Sequence, residues 1–319
     1  MKYLGALEAR LMSNISNCLK DYNVDFKGPV IVGLSGGKDS ITLLLLLNKM
    51  GFKVIPVIVD LGYKNFDAQS IASYISQFNL VAKVISVKNP NIIKRLSCST
   101  RSKVLSNMQF LASPGGMTPC SACSQTKRSI LINEAKRHSA RWIVFGHHRD
   151  DFLTTVLKDY FINQYYKMLG SYDAERFKLF VRNTYIDLCQ LNCMVHKQLA
   201  ATMALRLSLA NRIELVRPMM YIPEVDIINF KKISNIKAFG SGCAHEVFNS
   251  GQIIPITKRE IVHYDLRRRL QESSKLGHSI LAIALKSLDR HGRLRSNPRA
   301  MRDLILPGFE SNNRLFAYT

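Results

Sequence analysis

Three short stretches of this chain carry residue types and spacings that could do chemistry. The first is Ser35-Gly36-Gly37-Lys38-Asp39-Ser40. Paired glycines let a backbone approach an anion closely. A helix opening beside them would supply N–H groups and the positive end of its dipole. Lys38 adds a mobile cation, and Ser35 and Ser40 add hydroxyl donors. These are the parts of a phosphate site. Asp39 would repel a phosphate unless a divalent cation lay between them, so the pattern asks for such an ion.

The second stretch is Pro119-Cys120-Ser121-Ala122-Cys123. A Cys-x-x-Cys pair in the first turn of a helix places two sulfurs on one side, where the helix dipole favours thiolate. Three chemistries stay open for it: a redox dithiol, half of a zinc site, or part of an iron–sulfur site. No second Cys-x-x-Cys exists. The redox reading wants a thioredoxin context, which the Ser35–Ser40 string excludes; what remains is a third cysteine brought in from elsewhere, and Cys243, preceded by Gly240-Ser241-Gly242, is the best candidate. Spacing alone does not separate iron–sulfur from zinc. The third stretch is Gly146-His147-His148-Arg149-Asp150-Asp151, a cluster of titratable side chains behind a glycine.

The elements that must position these residues are legible around them. Val30-Ile31-Val32 is a β-branched run that reads as a buried parallel strand. After the glycines, 41–47 is a leucine-rich run of helix formers. Further strands are expected at 53–60, 82–87, 142–145 and 213–216. Helices are expected at 4–19, 66–78, 124–138 and 224–232. Strand–helix alternation of this kind predicts an α/β fold with a doubly wound parallel sheet. Ligands of such sheets bind beyond the carboxyl ends of the strands, where the loops after Leu34, Asp60 and Phe145 would meet. Residues 89–119 read as a basic loop or lid. The stretch 152–211 reads as helical and without strands. The stretch 239–250 reads as a loop.

Composition narrows the partners. The chain has 319 residues and a formal net charge of +22, with a pI of about 9.9. That excess favours a polyanion such as nucleic acid. The longest apolar run, Ile41–Leu47, is far short of the roughly 20 residues that cross a bilayer. Met1–Ala6 lacks the apolar region of a signal peptide, so a cytoplasmic location and no membrane partner are expected. Seven cysteines in that setting read as ligands, catalysts or buried thiols rather than disulfides. Cys18 and Cys98 are isolated and read as ordinary core or surface residues. Cys189 and Cys193 read as packing.

The Ser35–Ser40 string after a hydrophobic strand resembles the pyrophosphate loop of the PP-loop ATP pyrophosphatase superfamily, with its adenine nucleotide alpha hydrolase-like fold. It differs from the Walker loop, which has four residues between its first glycine and Gly-Lys. Taken with Cys120–Cys123, Lys127-Arg128, Gly146–Asp151, Val216-Arg217-Pro218, Tyr221 and Glu224–Ile227, the chain closely resembles the tRNA 2-thiocytidine biosynthesis family. The likeness covers roughly residues 29–157 and 213–245. It implies an ATP-dependent tRNA sulfurtransferase that adenylates C2 of a pyrimidine and replaces the oxygen with sulfur. By that resemblance Ser35, Gly36, Gly37, Lys38, Asp39, Ser40, Asp60, Gly146 and His147 bind ATP and Mg²⁺. Lys38, Asp39 and Asp151 are the catalytic set. Cys120, Cys123 and Cys243 hold a [4Fe–4S] cluster. Lys127, Arg128 and Arg217 contact tRNA. Arg267-Arg268-Arg269 lies beyond the likeness; in a chain of net charge +22 it reads as a tRNA phosphate contact as readily as a solvated helix face.

The implied partners are tRNA and a sulfur donor, either a cysteine desulfurase or inorganic sulfide, and a homodimer is a further expectation. The expected organisation is an N-terminal helical segment (1–28), a PP-loop domain (29–256) with a helical insertion at about 158–212, and a basic C-terminal region (257–319). The insertion and the basic tail depart from the family pattern. Thiolation of uridine, nitrogen transfer of the lysidine type, and an inactive tRNA-binding relative are the alternatives.

Overall fold

Alternation along the central strands decides the layering of this molecule. In the strand β1 (Val30–Gly33), Val30 and Val32 face one apolar cluster and Ile31 faces another. The same alternation sends Trp142 and Val144 of β4 (Trp142–Val144) to the first cluster and Ile143 to the second. All six side chains are essentially buried, as expected for strands covered on both faces. The computed structural model describes residues 2–63, 66–87, 119–155, 206–209, 212–240, 247–249 and 252–254.

Four helices supply the first layer. In α1 (Lys2–Asp21), Leu7, Leu11, Ile15 and Leu19 recur at helical spacing and enter the core, as one apolar stripe should. The others are α2 (Lys38–Lys49), α3 (Ala68–Ser76) and α5 (Glu224–Ile233). The second layer holds α4 (Pro119–Arg137), which buries Leu131 and Ala135 against Ile31 and Ile143. Between the layers run β1, β2 (Val54–Asp60), β3 (Lys83–Ser86), β4, β5 (Arg206–Ser208) and β6 (Glu214–Val216). Their order is β3-β2-β1-β4-β6-β5, parallel throughout except for antiparallel β5 at the edge. The strand order reverses between β1 and β4. That switch point is where open α/β sheets hold ligands.

The doubly wound α/β sheet is as the sequence predicts, with three local differences. β5 lies within the stretch read as helical and strandless. Its three residues, Arg206-Leu207-Ser208, show no apolar run because an ion pair, not a hydrophobic face, fixes them. A hairpin, β7 (Val247–Asn249) with β8 (Gln252–Ile254), occupies the end of the stretch read as a loop and continues past it. The Ser250-Gly251 step between its paired strands is a hairpin signal. α4 begins at Pro119, five residues before the expected start, because proline suits the first turn of a helix. Cys18 is a core residue, one of the two placements expected of it; Cys98, Cys189 and Cys193 lie outside the described residues. Among the described residues no helix is long and apolar enough to cross a membrane.

The β5–β6 edge is held by charge. Glu214, nearly buried, accepts from Arg206 Nη2 at 2.8 Å and Arg141 Nη2 at 2.7 Å, and also pairs with Arg206 Nε. Arg206 Nη1 donates to the carbonyls of Tyr22 and Asn23 at 2.9 and 3.1 Å. Both guanidinium groups lie over the Trp142 ring, at 4.7 and 5.2 Å from its centroid. Burial pushes the Glu214 carboxyl up, but the hydrogen bonds and charges of the two arginines outweigh it, and its net shift is downward. Stability from this group is therefore present above the ordinary carboxylate value and is lost as pH falls through the lower folded one.

Glu214→Ala leaves buried Arg206 without its carboxylate and should destabilise the fold by about 3–5 kcal/mol. Urea unfolding at pH 7 should show a lower midpoint at an unchanged slope. The gap from the unaltered chain should shrink as the pH drops below the ordinary value of 4.5.

Candidate nucleotide site

The loop after β1 is shaped by its own hydroxyls. Ser40 Oγ donates to the Gly37 carbonyl at 3.0 Å and lies 3.2 Å from Ser35 N, placed to accept from it. The two serine hydroxyls are 3.1 Å apart, and Gly37 N–H donates to Ser35 Oγ at 3.3 Å. Gly36 has φ +82°, and a Cβ there would meet Ile71 Cδ1 at 2.5 Å, so only glycine fits. α2 then opens at Lys38 with Gly37 as its N-cap and no side-chain cap. Its first turn is left to serve an external anion.

The loop after β4 is pressed against this one. A Cβ on Gly146 would lie 2.9 Å from the backbone C and O of Asp39 and from Ser40 N. The contact aligns the side chains that follow. Buried His148 places Nε2 3.7 Å from Asp39 Oδ1 and 3.4 Å from Asp151 Oδ2. His148 N–H also donates to Asp151 Oδ2 at 3.2 Å. An imidazole thus stands between the two aspartates that the sequence singles out. His147 meets the Phe145 ring edge-on, with centroids 5.8 Å apart.

Lys38 is the cation of the site. Its Nζ is 3.0 Å from Asp39 Oδ1 and 2.8 Å from Glu224 Oε1, at the start of α5. Burial pulls the ammonium pKa down, but the charges of Asp39 and Glu224 outweigh it and hold the pKa above the ordinary value of 10.5. Lys38 is therefore charged across the neutral range. Asp39 Oδ1 is buried, and beyond its ion pair with Lys38 it accepts no well-formed hydrogen bond. An oxygen with spare acceptor capacity beside a phosphate cradle suits a divalent cation whose remaining ligands are phosphate oxygens and water. Among the described residues no group of three or more His, Cys, Asp or Glu side chains is arranged to hold a metal ion by itself.

The remaining expected residues fall in several places. Asp60 ends β2 beside the cradle, and its Oδ1 accepts from Gly62 N–H at 2.8 Å. Cys120 and Cys123 occupy the first turns of α4, the helix that leads back into β4, so they lie at the carboxyl edge of the sheet. Cys123 packs against the second apolar cluster; nothing is described of the Cys120 side chain. Cys243 and Arg267–Arg269 lie outside the described residues. Phe239 N–H donates to the Gly36 carbonyl at 2.9 Å, so the chain leading to Cys243 departs from the cradle itself. Lys127 and Arg128 are half-buried on α4.

Arg217 requires a correction. It is 2% exposed, so it does not offer its charge on the outer surface as a tRNA contact would. Burial, then the like charge of Arg128, lowers its pKa to about 9, and Asp151 opposes the shift. Arg217 therefore belongs to the interior behind Asp151.

Sequence reasoning missed three contributors. Glu224, Asp150 and His148 stand in the sequence only as members of patterns, with no role assigned to their side chains. Glu224 opens a helix directly after Pro223, and a carboxylate in the first turn there is a visible signal. Nothing local pointed it at Lys38.

Residues 7–240 match the family model described as PP-loop domain. The tRNA-cytidine(32) 2-sulfurtransferase of Cronobacter sakazakii is 32% identical over 176 residues, which is 52% of this chain and 50% of that protein. The protein of the same name from Acaryochloris marina is 30% identical over 167 residues, covering 50% and 53%. The chain thus matches about half the length of these curated relatives. The solved structure of U34-tRNA thiolase NcsA from Methanococcus maripaludis with its [4Fe-4S] cluster superposes with a TM-score of 0.54 at 17% identity, covering 88% of this chain and 80% of that one. That likeness establishes the shared fold.

Gly146→Ala should separate the two loops, because the added methyl meets backbone rather than a flexible side chain. Overpacking of this kind costs about 1–3 kcal/mol. Calorimetric titration with ATP should show affinity lowered by at least about tenfold, while far-UV circular dichroism of the variant matches the unaltered chain.

Proposed function

The chain belongs to the PP-loop family, and from that premise we propose that it is an ATP-dependent tRNA sulfurtransferase acting at C2 of a cytidine. The observation that carries this reading is the cradle at the β1–β4 switch point. A glycine loop, an uncapped helix start, a charged lysine and an aspartate with a spare oxygen converge there. The names of the relatives point the same way, as does the net charge of +22, which suits a polyanionic substrate.

In this reading the N-terminus of α2 and the Gly36-Gly37 backbone bind the phosphates of ATP. Lys38 neutralises their charge, and Asp39 would hold Mg²⁺, which would supply further charge neutralisation. The C2 oxygen of the pyrimidine attacks the α-phosphorus, the α–β bridging bond breaks, and pyrophosphate leaves. The poor leaving group has then become AMP. Hydrosulfide attacks C2, the C2–O bond breaks so that AMP departs with the original oxygen, and loss of the sulfur-bound proton to solvent leaves a thiocarbonyl. Asp151, oriented by His148 and sensing Arg217, is the group placed to organise the reacting end of the nucleotide. Lys127, Arg128 and the Arg267–Arg269 triplet contact tRNA phosphates.

Cys120, Cys123 and Cys243 would hold the [4Fe–4S] cluster. When bound, it supplies an iron without a protein ligand, at which a sulfur atom can be carried. Two of these residues stand one helical turn apart at the carboxyl edge of the sheet, and the third follows the segment tied to Gly36. The sulfur comes from sulfide or from a cysteine desulfurase.

The experiment that tests the function is nucleoside mass spectrometry of tRNA from cells with and without the gene. A 2-thiocytidine present only with the gene is the expected result; identical profiles would overturn it. In vitro, ATP should yield AMP and pyrophosphate. Lys38→Ala and Asp39→Ala should each lower that yield by at least about a hundredfold, the order lost with a group that acts only on developing charge. Filter-binding affinity for tRNA should stay within about twofold.

The cysteine set has its own readout. After anaerobic reconstitution, Cys243→Ala should lose the same iron and acid-labile sulfide as Cys120→Ala, whereas Cys189→Ala should keep both. Zinc without sulfide in the unaltered chain would replace the cluster with a zinc site.

A further inference from the structure

We infer that Glu224 is a positioning residue of the nucleotide site. It anchors the Lys38 ammonium so that Asp39 is released to a divalent cation when ATP binds. This rests on the reading of the cradle as an ATP site.

The two carboxylates that share Lys38 are not equivalent. The Glu224 side chain is 4% exposed and that of Asp39 is 29% exposed. Glu224 Oε1 is also the nearer, at 2.8 Å against 3.0 and 3.1 Å for the Asp39 oxygens. A charge pair gains strength as water is excluded, so the Glu224 contact is the more firmly held. Asp39, at the open side, can turn away.

Glu224 itself is fixed from below. Its backbone N–H donates to Asp150 Oδ2 at 3.0 Å. The other oxygen of Asp150 accepts from Arg149 Nε at 2.8 Å, and Arg149 N–H donates to the Ile222 carbonyl at 3.0 Å. Asp150 and Arg149 are both buried. The helical turn that follows the β4 loop therefore holds the start of α5, and the start of α5 holds the lysine that opens α2. Phe239 N–H on Gly36 O adds a second tie from beyond α5.

The consequence follows from counting charges. One ammonium faces two carboxylates. With Glu224 present, Lys38 keeps a partner after Asp39 turns to a cation. Without it, Lys38 is left to Asp39. Their direct pairing then withholds the cation ligand and the phosphate ligand together. Were Glu224 merely balancing buried charge, neutralising it would strengthen binding of a polyphosphate.

The test is calorimetric titration of the full chain with ATP across a Mg²⁺ series, with thermal unfolding recorded in parallel. Glu224→Gln should weaken ATP binding about tenfold and raise the Mg²⁺ concentration for half-saturation by a similar factor, the scale of one charged hydrogen bond. Glu224→Asp, which keeps the charge one methylene short, should lose about threefold. In a Lys38→Gln background neither change should weaken binding further, since Glu224 acts through Lys38.

Unchanged or tighter ATP binding in Glu224→Gln would overturn the inference. So would additive losses in the double variants, or a loss of affinity with no shift in Mg²⁺ requirement, which is the mark of simple loosening. If Glu224→Gln does not fold, Glu224→Asp with and without Lys38→Gln decides the matter alone. Absence of ATP binding by the unaltered chain would overturn both this inference and the ATP site itself.

Discussion

The site depends on one steric constraint: Gly146 sits where no side chain can. A Cβ at that position would lie 2.9 Å from three backbone atoms of Asp39 and Ser40. Backbone in the first turn of a helix cannot swing aside as a flexible side chain can. The loops after β1 and β4 therefore touch at the switch point of the sheet, with nothing between them. From that contact the register of His148, Asp150 and Asp151 against Lys38 and Asp39 follows. The sheet supplies the strand ends, and the glycine brings their loops together.

Around that contact the charges form an ordered set rather than scattered pairs. Lys38 lies between Asp39 and Glu224, His148 between Asp39 and Asp151, and Arg217 is close enough to Asp151 to shift its own pKa. Buried charges persist only when partnered, since desolvation costs several kcal/mol per ion. Each buried group here is held by one that is more exposed or more loosely engaged. The least enclosed member is Asp39, at the open side of the set. Polar reach in this site runs outward from a fixed interior.

The sequence disclosed what local pattern controls. The β-branched run of β1, the Gly36-Gly37 turn and the leucines of α2 identify a strand, an anion loop and a helix without any tertiary information. Repetition of that unit identifies the doubly wound sheet. Contacts made across the chain were hidden. Glu224 reaches Lys38 over a long sequence separation, and nothing in Pro223-Glu224-Val225 specifies a lysine partner. Arg217 follows an apolar strand and reads as a cation at a strand end, yet packing encloses it behind Asp151. β5 escaped notice because Glu214 and two arginines, not an apolar face, hold Arg206-Leu207-Ser208 in place. The cysteines stand between these cases: the Cys120–Cys123 spacing and the glycines before Cys243 single out three thiols, while the cluster they would hold comes from resemblance.

In the proposed reaction, ATP activates the C2 oxygen so that sulfur can displace it as AMP. The most direct measurement follows that oxygen. A tRNA carrying ¹⁸O at C2 of its target cytidine would be turned over with ATP, Mg²⁺ and sulfide, and the AMP analysed by mass spectrometry. The account predicts one ¹⁸O in the AMP for each 2-thiocytidine formed, and none in the pyrophosphate. Unlabelled AMP alongside thiolated tRNA, with the label released to water, would contradict it.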